Sequence, residues 1–370
     1  MIETCYVAFG AAGITGRRAL LPTVADLLCA ALVFQRGRRI ITAMTDWLKA
    51  ILPMTLWQAM RRGKHWALRN SRRGAEAVGL VIARKGDYHN PLPSEFELRK
   101  SLARWNRPSA LLGVGYDLQA FRRRLDGLMT GYYAEFSELP PYADLSRRGF
   151  GHGFPHLDAL ILYAMVRDLK PKRYLEVGCG LSTYYASLAA RKNAAEGHPL
   201  AITCIEPYPF AALATIEGIE LIKAQVQDVS IDAFTALESG DILFIDSTHA
   251  VRIDGDVPFL FLEVLPALKP GVQVHLHDIP FPYNTPYPAD FWVLVRAPAS
   301  NHWPVYWTEP MLLQAFLAFN TRYSIGLSCP MLRYFDPAFL ARTIPGYDRM
   351  LQEADHFSSI WLEVAQGVSG

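Results

Sequence analysis

Apolar positions along the chain keep two different rhythms. Through residues 44–75 they recur at helical spacing (Trp47, Leu48, Ile51, Leu52, Leu56, Trp57, Met60), and residues 94–104 and 117–138 repeat that period. A connector rich in Pro and Gly, "ELPPYADLSRRGFGHGFPH" (138–156), follows. Beyond it "LDALILYAMVRDL" predicts an amphipathic helix. Short, nearly continuous apolar runs then alternate with helical stretches: "RYLEV" (173–177), "AITCIE" (201–206), "IELIKA" (219–224), "DILFID" (241–246) and "VQVHLHDI" (272–279). Runs of this kind separated by helices predict a parallel sheet covered on both faces, in a doubly wound α/β domain. "MLLQAFLAFN" reads as a later helix and "YSIGLSC" as a further strand. The expected organisation is an extension over 1–43, a helical region over 44–150, the α/β domain over 151–335, and a partly helical tail over 336–370.

Composition narrows the partners. The 370 residues are 51% hydrophobic, enough for one large core. A net charge of +2 with only 19% charged residues gives no electrostatic footprint for nucleic acid. The cysteines (Cys5, Cys29, Cys179, Cys204, Cys329) are odd in number and form no C-x-x-C pair. A reducing, cytoplasmic setting is therefore expected, without a disulfide framework. "RRALLPTVADLLCAALVF" (17–34) has the arginines and apolar run of an export signal, but Pro22 and Asp26 interrupt it and it is too short to span a bilayer. "MTDWLKAILP", from Met44, is the more ordinary start, so residues 1–43 read as an upstream extension. The basic amphipathic stretch 47–73 offers peripheral membrane contact, against the plainer reading of a solvated helix.

In an open α/β sheet, ligands bind at the carboxyl ends of the strands. The first run ends in Glu176 and a Gly178-Cys179-Gly180 turn, followed by Ser182 and Thr183 as helix-capping residues. A dinucleotide fingerprint needs a third glycine where Thr183 stands, which argues against a nicotinamide oxidoreductase. The second run ends in Glu206, an acid placed to accept hydrogen bonds from ribose hydroxyls. Gln227 and Asp228 follow the third run, Asp246 ends the fourth, and His277 and Asp278 end the fifth. His249, three residues after Asp246, is a candidate general base. His275 reads as structural, and Asp254 and Asp256 as first-turn helix residues.

Together "EVGCGLST", "CIEPYP", "VQDV", "DILFIDSTH", "FLEVLPALKPGVQVHLHDI" and "LLQAFLAFN" resemble a class I S-adenosylmethionine-dependent methyltransferase of the family-24 type, over roughly residues 85–335. The resemblance implies a Rossmann-like sheet of seven strands, the last antiparallel, with the α-helical region as an N-terminal extension. It implies S-adenosyl-L-methionine at the carboxyl edge. Glu176, Gly178 and Gly180 would line its methionine part, Ser182 its carboxylate, Glu206 its ribose, and Asp228 with Gln227 its adenine. Asp246 would orient the donor. In the catechol O-methyltransferase type a magnesium ion sits at the ends of strands four and five, here Asp246 and Asp278. A divalent ion (Mg or Mn) is thus a second implied cofactor. That type offers another oxygen ligand after the strand-five acid, whereas this chain has Ile279, with His277 before Asp278. Imidazole suits zinc, iron or manganese better than magnesium.

The segment after the fifth run is long and rich in Pro and aromatics, as lids and binding surfaces are. Tyr283, Tyr287, Trp292, Trp303, Tyr306 and Trp307 are available to stack on a ring. The expected activity is methyl transfer to a small acceptor, with the hydroxyl of a sugar or glycosylated metabolite as its site, using His249 and Asp278. The rivals are a metal-dependent hydroxylase on the same scaffold and a non-catalytic donor-binding or membrane-surface protein.

Overall fold

The computed structural model describes residues 70–78, 91–151, 153–295, 305–348 and 357–365, with isolated positions elsewhere between 58 and 90. The expected extension over 1–43, most of the basic stretch 47–73, and Trp303 lie outside the described residues. The chain divides into compact units at Asn90/Pro91 rather than near residue 150. Residues 91–150 join the α/β unit because their longest helix, α1 (Leu118–Ser137), buries Phe121, Leu125 and Leu128 in its core.

Seven strands form one sheet: β1 (Arg173–Val177), β2 (Ala201–Ile205), β3 (Ile219–Ile222), β4 (Ile242–Ile245), β5 (Gln273–Leu276), β6 (Tyr323–Ser328) and β7 (Ile360–Val364). Their order is β3-β2-β1-β4-β5-β7-β6. The first five pair in parallel, and β7 runs antiparallel to both β5 and β6. The expected seven-stranded, doubly wound architecture is therefore present. The expected tail needs correcting, since the domain does not end at 335. β7 inserts between β5 and β6, so residues 360–364 complete the sheet.

The strands form where the pattern requires. β4 (ILFI) is buried at every residue, as a central parallel strand must be. Its start is fixed by Asp241, whose buried carboxylate accepts backbone N–H bonds from Lys172 (3.1 Å), Arg173 (2.8 Å) and Glu238 (2.9 Å). Those bonds hold the amino ends of β1 and β4 level. α2 (His156–Leu169) is buried from Leu157 through Arg167, so it is a core helix rather than the amphipathic one expected. α3 (Leu181–Ala195) follows β1, and α4 (Glu309–Leu317) precedes β6.

Arg167 ties three helices together. Its guanidinium donates to Glu135 of α1 at 2.7 Å, and also to Asn193 of α3 and to Glu196. Tyr163 donates to the same Glu135 carboxylate at 2.5 Å. With 5% of the Arg167 side chain exposed, removing it strands acids it has neutralised. Arg167→Met is expected to lower unfolding free energy by about 3 kcal/mol, measured by urea denaturation, because a partly buried acid is left without its cation.

Candidate functional site

The carboxyl ends of β2, β1, β4 and β5 lie side by side. Backbone bonds carry the pairing past the strands: Gly178 N–H to Ile205 (3.1 Å), Asp246 N–H to Val177 (2.8 Å) and His277 N–H to Ile245 (2.9 Å). Glu206, Gly178, Asp246 and His277 therefore stand in a row along one edge. The turn after β1 is forced by contact. Gly178 has φ +81°, and a Cβ there would sit 1.8 Å from the backbone oxygen of Asp246. A Cβ on Gly180 would sit 2.7 Å from the backbone oxygen of Phe150. Both glycines are needed for close backbone approach.

Above this turn is a cavity of about 170 Å³, lined by Gly178, Gly180, Ser182, Glu206, Phe210 and Asp246. It is smaller than the roughly 300–1,000 Å³ usual for small-molecule sites. Phe150, Gly151, Gly153 and Phe154 also line it. Glu206 keeps acceptor capacity on its rim. One oxygen accepts the Tyr208 N–H at 2.8 Å and the other the Cys179 N–H at 3.4 Å. A cradle without side chains beside a rim carboxylate fits the amino-acid and ribose parts of a nucleoside-linked donor.

Three residues expected at the donor, Glu176, Gln227 and Asp228, do not line this cavity. Glu176 is fully buried below the cavity, and its carboxyl accepts from Ser182 Oγ at 2.5 Å and Thr183 Oγ1 at 2.6 Å. Thr183 Oγ1 also accepts the Gly180 N–H at 3.1 Å. These residues lock the turn to the start of α3, so the Ser182 hydroxyl is committed to Glu176. Gln227 donates to Gln225 Oε1 (3.1 Å) and to the backbone oxygen of Asp254 (3.2 Å), and neither it nor Asp228 lines the cavity.

Beside the cavity is a cluster of acids and imidazoles. His249 Nδ1 lies 2.7 Å from Glu309 Oε2, and its Nε2 lies 3.2 Å from Asp246 Oδ1 and 3.4 Å from Asp278 Oδ2. His277 Nδ1 lies 3.4 and 3.6 Å from those same two oxygens. Its Nε2 is 3.0 Å from Ser358 Oγ and 3.4 Å from Asp158 Oδ2. Both imidazoles are buried, while Asp246 and Asp278 keep 27% and 22% of their side chains exposed. His249 and Asp278 both hold φ +57°, a left-handed conformation uncommon outside glycine and concentrated at functional sites. Two backbone N–H bonds from Thr308 and Glu309 to the His249 carbonyl, 2.8 and 3.1 Å, fasten its loop to the start of α4.

The neighbours of His249 set its proton affinity. Burial alone would lower its pKa, but Asp246, Glu309 and Asp278 overcome that and raise it to about 10. Among these neighbours it holds its proton at neutral pH and acts as a cation, not a free base. Asp278 and Glu309 are both raised, by burial first. For Asp246 burial is outweighed by His277 and His249, which hold it below the usual carboxylate range. His275 is structural as expected, stacked on Trp361 at 4.1 Å and kept neutral by burial.

Glu309, Asp158 and Ser358 were not expected at the site. Asp158 carried a signal, being the one acid within the buried stretch 157–167 of α2, at 1% exposure. The aromatic segment lies next to the cluster. Trp307 tilts against His249 at 4.7 Å and against Trp292 at 5.8 Å, and Tyr283 packs on Tyr287 at 4.8 Å. The helix Glu95–Lys100 supports that segment, Arg99 donating to the backbone oxygen of Leu294 at 3.1 Å.

Residues 175–279, which span the glycine turn, Glu206, Asp246 and Asp278, match the family model described as a methyltransferase domain. Over that span the chain is similar to a methyltransferase domain. The chain is 27% identical over 176 residues to an uncharacterised protein of Archaeoglobus fulgidus, covering 45% of this chain and 77% of that one. Among solved structures it is similar to the O-methyltransferase TomG of Streptomyces achromogenes, in complex with SAM, at 13% identity, 66% and 99% coverage and a TM-score of 0.37. It is also similar to an O-methyltransferase of Bacillus cereus in complex with SAH, at 15% identity, 55% and 90% coverage and a TM-score of 0.34. No helix among the described residues is long and apolar enough to cross a membrane.

Burial raises the Glu176 carboxyl from 4.5 to about 8 despite the two hydroxyl bonds that oppose it. The folded chain keeps this proton where the unfolded chain has released it. The resulting stability is complete below about pH 4.5 and lost as pH rises through about 8. Between pH 5 and 8 the protein is expected to lose on the order of 4 kcal/mol more stability than its Glu176→Gln variant. Denaturant titrations at both pH values check this, and equal losses would refute it.

Proposed function

We propose that this protein is a methyltransferase that moves the methyl group of S-adenosyl-L-methionine to a hydroxyl of a small acceptor, a sugar or glycosylated metabolite. The observation that carries the reading is the row Glu206, Gly178, Asp246, Asp278 along one sheet edge, with the aromatic segment beside its far end. Bound donor supplies an electrophilic methyl on sulfur; the acceptor oxygen bonds to that carbon as the carbon–sulfur bond breaks, leaving S-adenosylhomocysteine and a methyl ether.

The chain's own residues provide binding, orientation and proton acceptance. Glu206 accepts from the ribose hydroxyls, and the Gly178–Gly180 turn admits the amino-acid end. Asp246 lies between donor and acceptor. Gly149, Gly151 and Gly153, in the connector that reaches the cavity, all hold positive φ. Trp307, Trp292, Tyr283 and Tyr287 provide aromatic faces on which a sugar ring packs. Asp278 takes the hydroxyl proton, because burial raises its proton affinity and His249 is already charged.

Calorimetric titration with S-adenosylmethionine is expected to show one saturable site. Glu206→Ala should weaken it on the order of 10- to 100-fold, the worth of hydrogen bonds to a charged group. Asp278→Asn should bind the donor as the parent does and turn over at least about 100-fold more slowly. Mass-spectrometric detection of methylated product across a panel of glycosides reads the second effect. Folded protein that binds no donor would end the proposal.

A further inference from the structure

We propose that the acceptor carries a carboxylate, as a uronic acid does, and that Arg333 is the cation that holds it. This deepens the methyl-transfer reading and rests on it only for what the bound molecule undergoes. Arg333 stands on the helix Cys329–Phe335, which follows β6. Its guanidinium carbon lies 5.4 Å from the centre of the Tyr287 ring. Tyr287 packs on Tyr283, which meets Tyr334 edge-on at 6.0 Å. The cation therefore sits within the aromatic segment that offers its faces to a sugar ring. It is also tied to the acid–imidazole cluster. Nη1 donates to the backbone oxygen of Phe357 at 3.1 Å, and the next residue, Ser358, meets His277 through its hydroxyl at 3.0 Å. Tyr287 and Tyr334 remain 39% and 44% exposed, so solvent reaches this end of the segment.

Arg333 lacks the partner that the other arginines have. Arg167, Arg122 and Arg124 are the remaining arginines that are half-buried or deeper among the described residues, and each bonds a carboxylate, at 2.7, 2.7 and 2.6 Å. Arg333 is half-buried as well, yet it pairs with no acid among the described residues. Asp158 is close enough to favour its charge, but the Oδ2 of that acid accepts from Ser358 at 2.9 Å and faces His277 at 3.4 Å. Burial is the larger effect and lowers the pKa of the guanidinium. A cation held out of water without a counter-ion is costly, and an anionic ligand removes that cost.

The free donors fit a carboxylate. Nη1 is taken by Phe357, whereas Nε and Nη2 make no hydrogen bond among the described residues. Those two N–H groups form the parallel pair that matches both oxygens of a carboxylate. Tyr347 adds a third donor beside them. Its phenol is close enough to act on the charge of Arg333, and its buried hydroxyl has no hydrogen-bond partner. Burial pushes its pKa up to about 12, so it keeps its proton to donate. Among the described residues Arg333 is the one cation that acts on Tyr347 or Tyr283. A single cation suits the single charge of a carboxylate better than the double charge of a phosphate monoester.

The test is calorimetric titration of the full-length protein with D-glucuronate, D-glucose and glucose 6-phosphate at low ionic strength. Glucuronate is expected to bind at least about 10-fold more tightly than glucose, the worth of hydrogen bonds between charged groups. Arg333→Gln should erase that preference. Arg333→Lys, which keeps the charge but loses the parallel pair, should restore only part of it. Tyr347→Phe should weaken glucuronate by about 3-fold or more and leave glucose as in the parent. Circular dichroism confirms folding, and if Arg333→Gln does not fold, Arg333→Lys and Tyr347→Phe carry the expectation. No preference for glucuronate in the parent, a preference undiminished in the folded variants, or glucose 6-phosphate bound as tightly as glucuronate would each overturn the proposal. Titration with S-adenosylmethionine on the same samples keeps the two readings apart. Donor binding without a preference for glucuronate removes the carboxylate site and leaves methyl transfer, and the reverse result does the opposite.

Discussion

The site depends on one close approach between two strand ends. The chain leaving β1 passes so near the backbone oxygen of Asp246 that no side chain fits at residue 178. That contact does two things at once. It brings the glycine turn, which shapes the floor of the cavity, against the acid that ends β4. It also fixes Asp246 beside the end of β5, because β4 lies between β1 and β5 in the sheet. Donor cavity and acid–imidazole cluster therefore share a wall, and neither moves without the other.

The second organising fact is electrostatic. Asp158, Asp246, Asp278 and Glu309 surround only two imidazoles, and most of these groups are nearly or fully removed from water. Burial raises proton affinity on Asp278 and Glu309 against the pull of the nearby imidazoles, whereas on Asp246 the imidazoles outweigh burial and draw it down. Such an arrangement is costly for a protein that needs only stability, since an apolar core of the same volume folds as well or better. The two left-handed residues, His249 and Asp278, add backbone strain at the same place. Cost concentrated on one sheet edge is the mark of a site rather than a scaffold.

Much of this was legible in the sequence, and the losses have physical reasons. β1 to β5 and their carboxyl-end residues read out directly, because buried parallel strands leave continuous apolar runs. β7 did not. "IWLEV" is too short for periodicity to assign, and its partners β5 and β6 lie far back along the chain. α2 looked amphipathic because Asp158 and Arg167 are charged, yet both are buried and paired. Glu176 stood at the right strand end for a ligand, but Ser182 and Thr183 turn its carboxyl inward. The role of His249 was the least readable. Proximity to Asp246 suggests a base, and only the fold reveals that two further carboxylates converge on the same ring and make it a cation.

β7 is the last strand of the sheet in chain order, yet it is an interior one. Until residues 360–364 have been synthesised, β5 and β6 each present an open edge toward a place that nothing fills. Ser358, two residues upstream, also reaches His277 only when β7 is seated. Synthesis order and assembly order are therefore opposed. The nascent chain exposes two unpaired edges, a hazard for pairing with another chain, for as long as translation continues. The seating of β7 closes the sheet and completes the shell around His277 in a single event. A prematurely terminated chain would lack both.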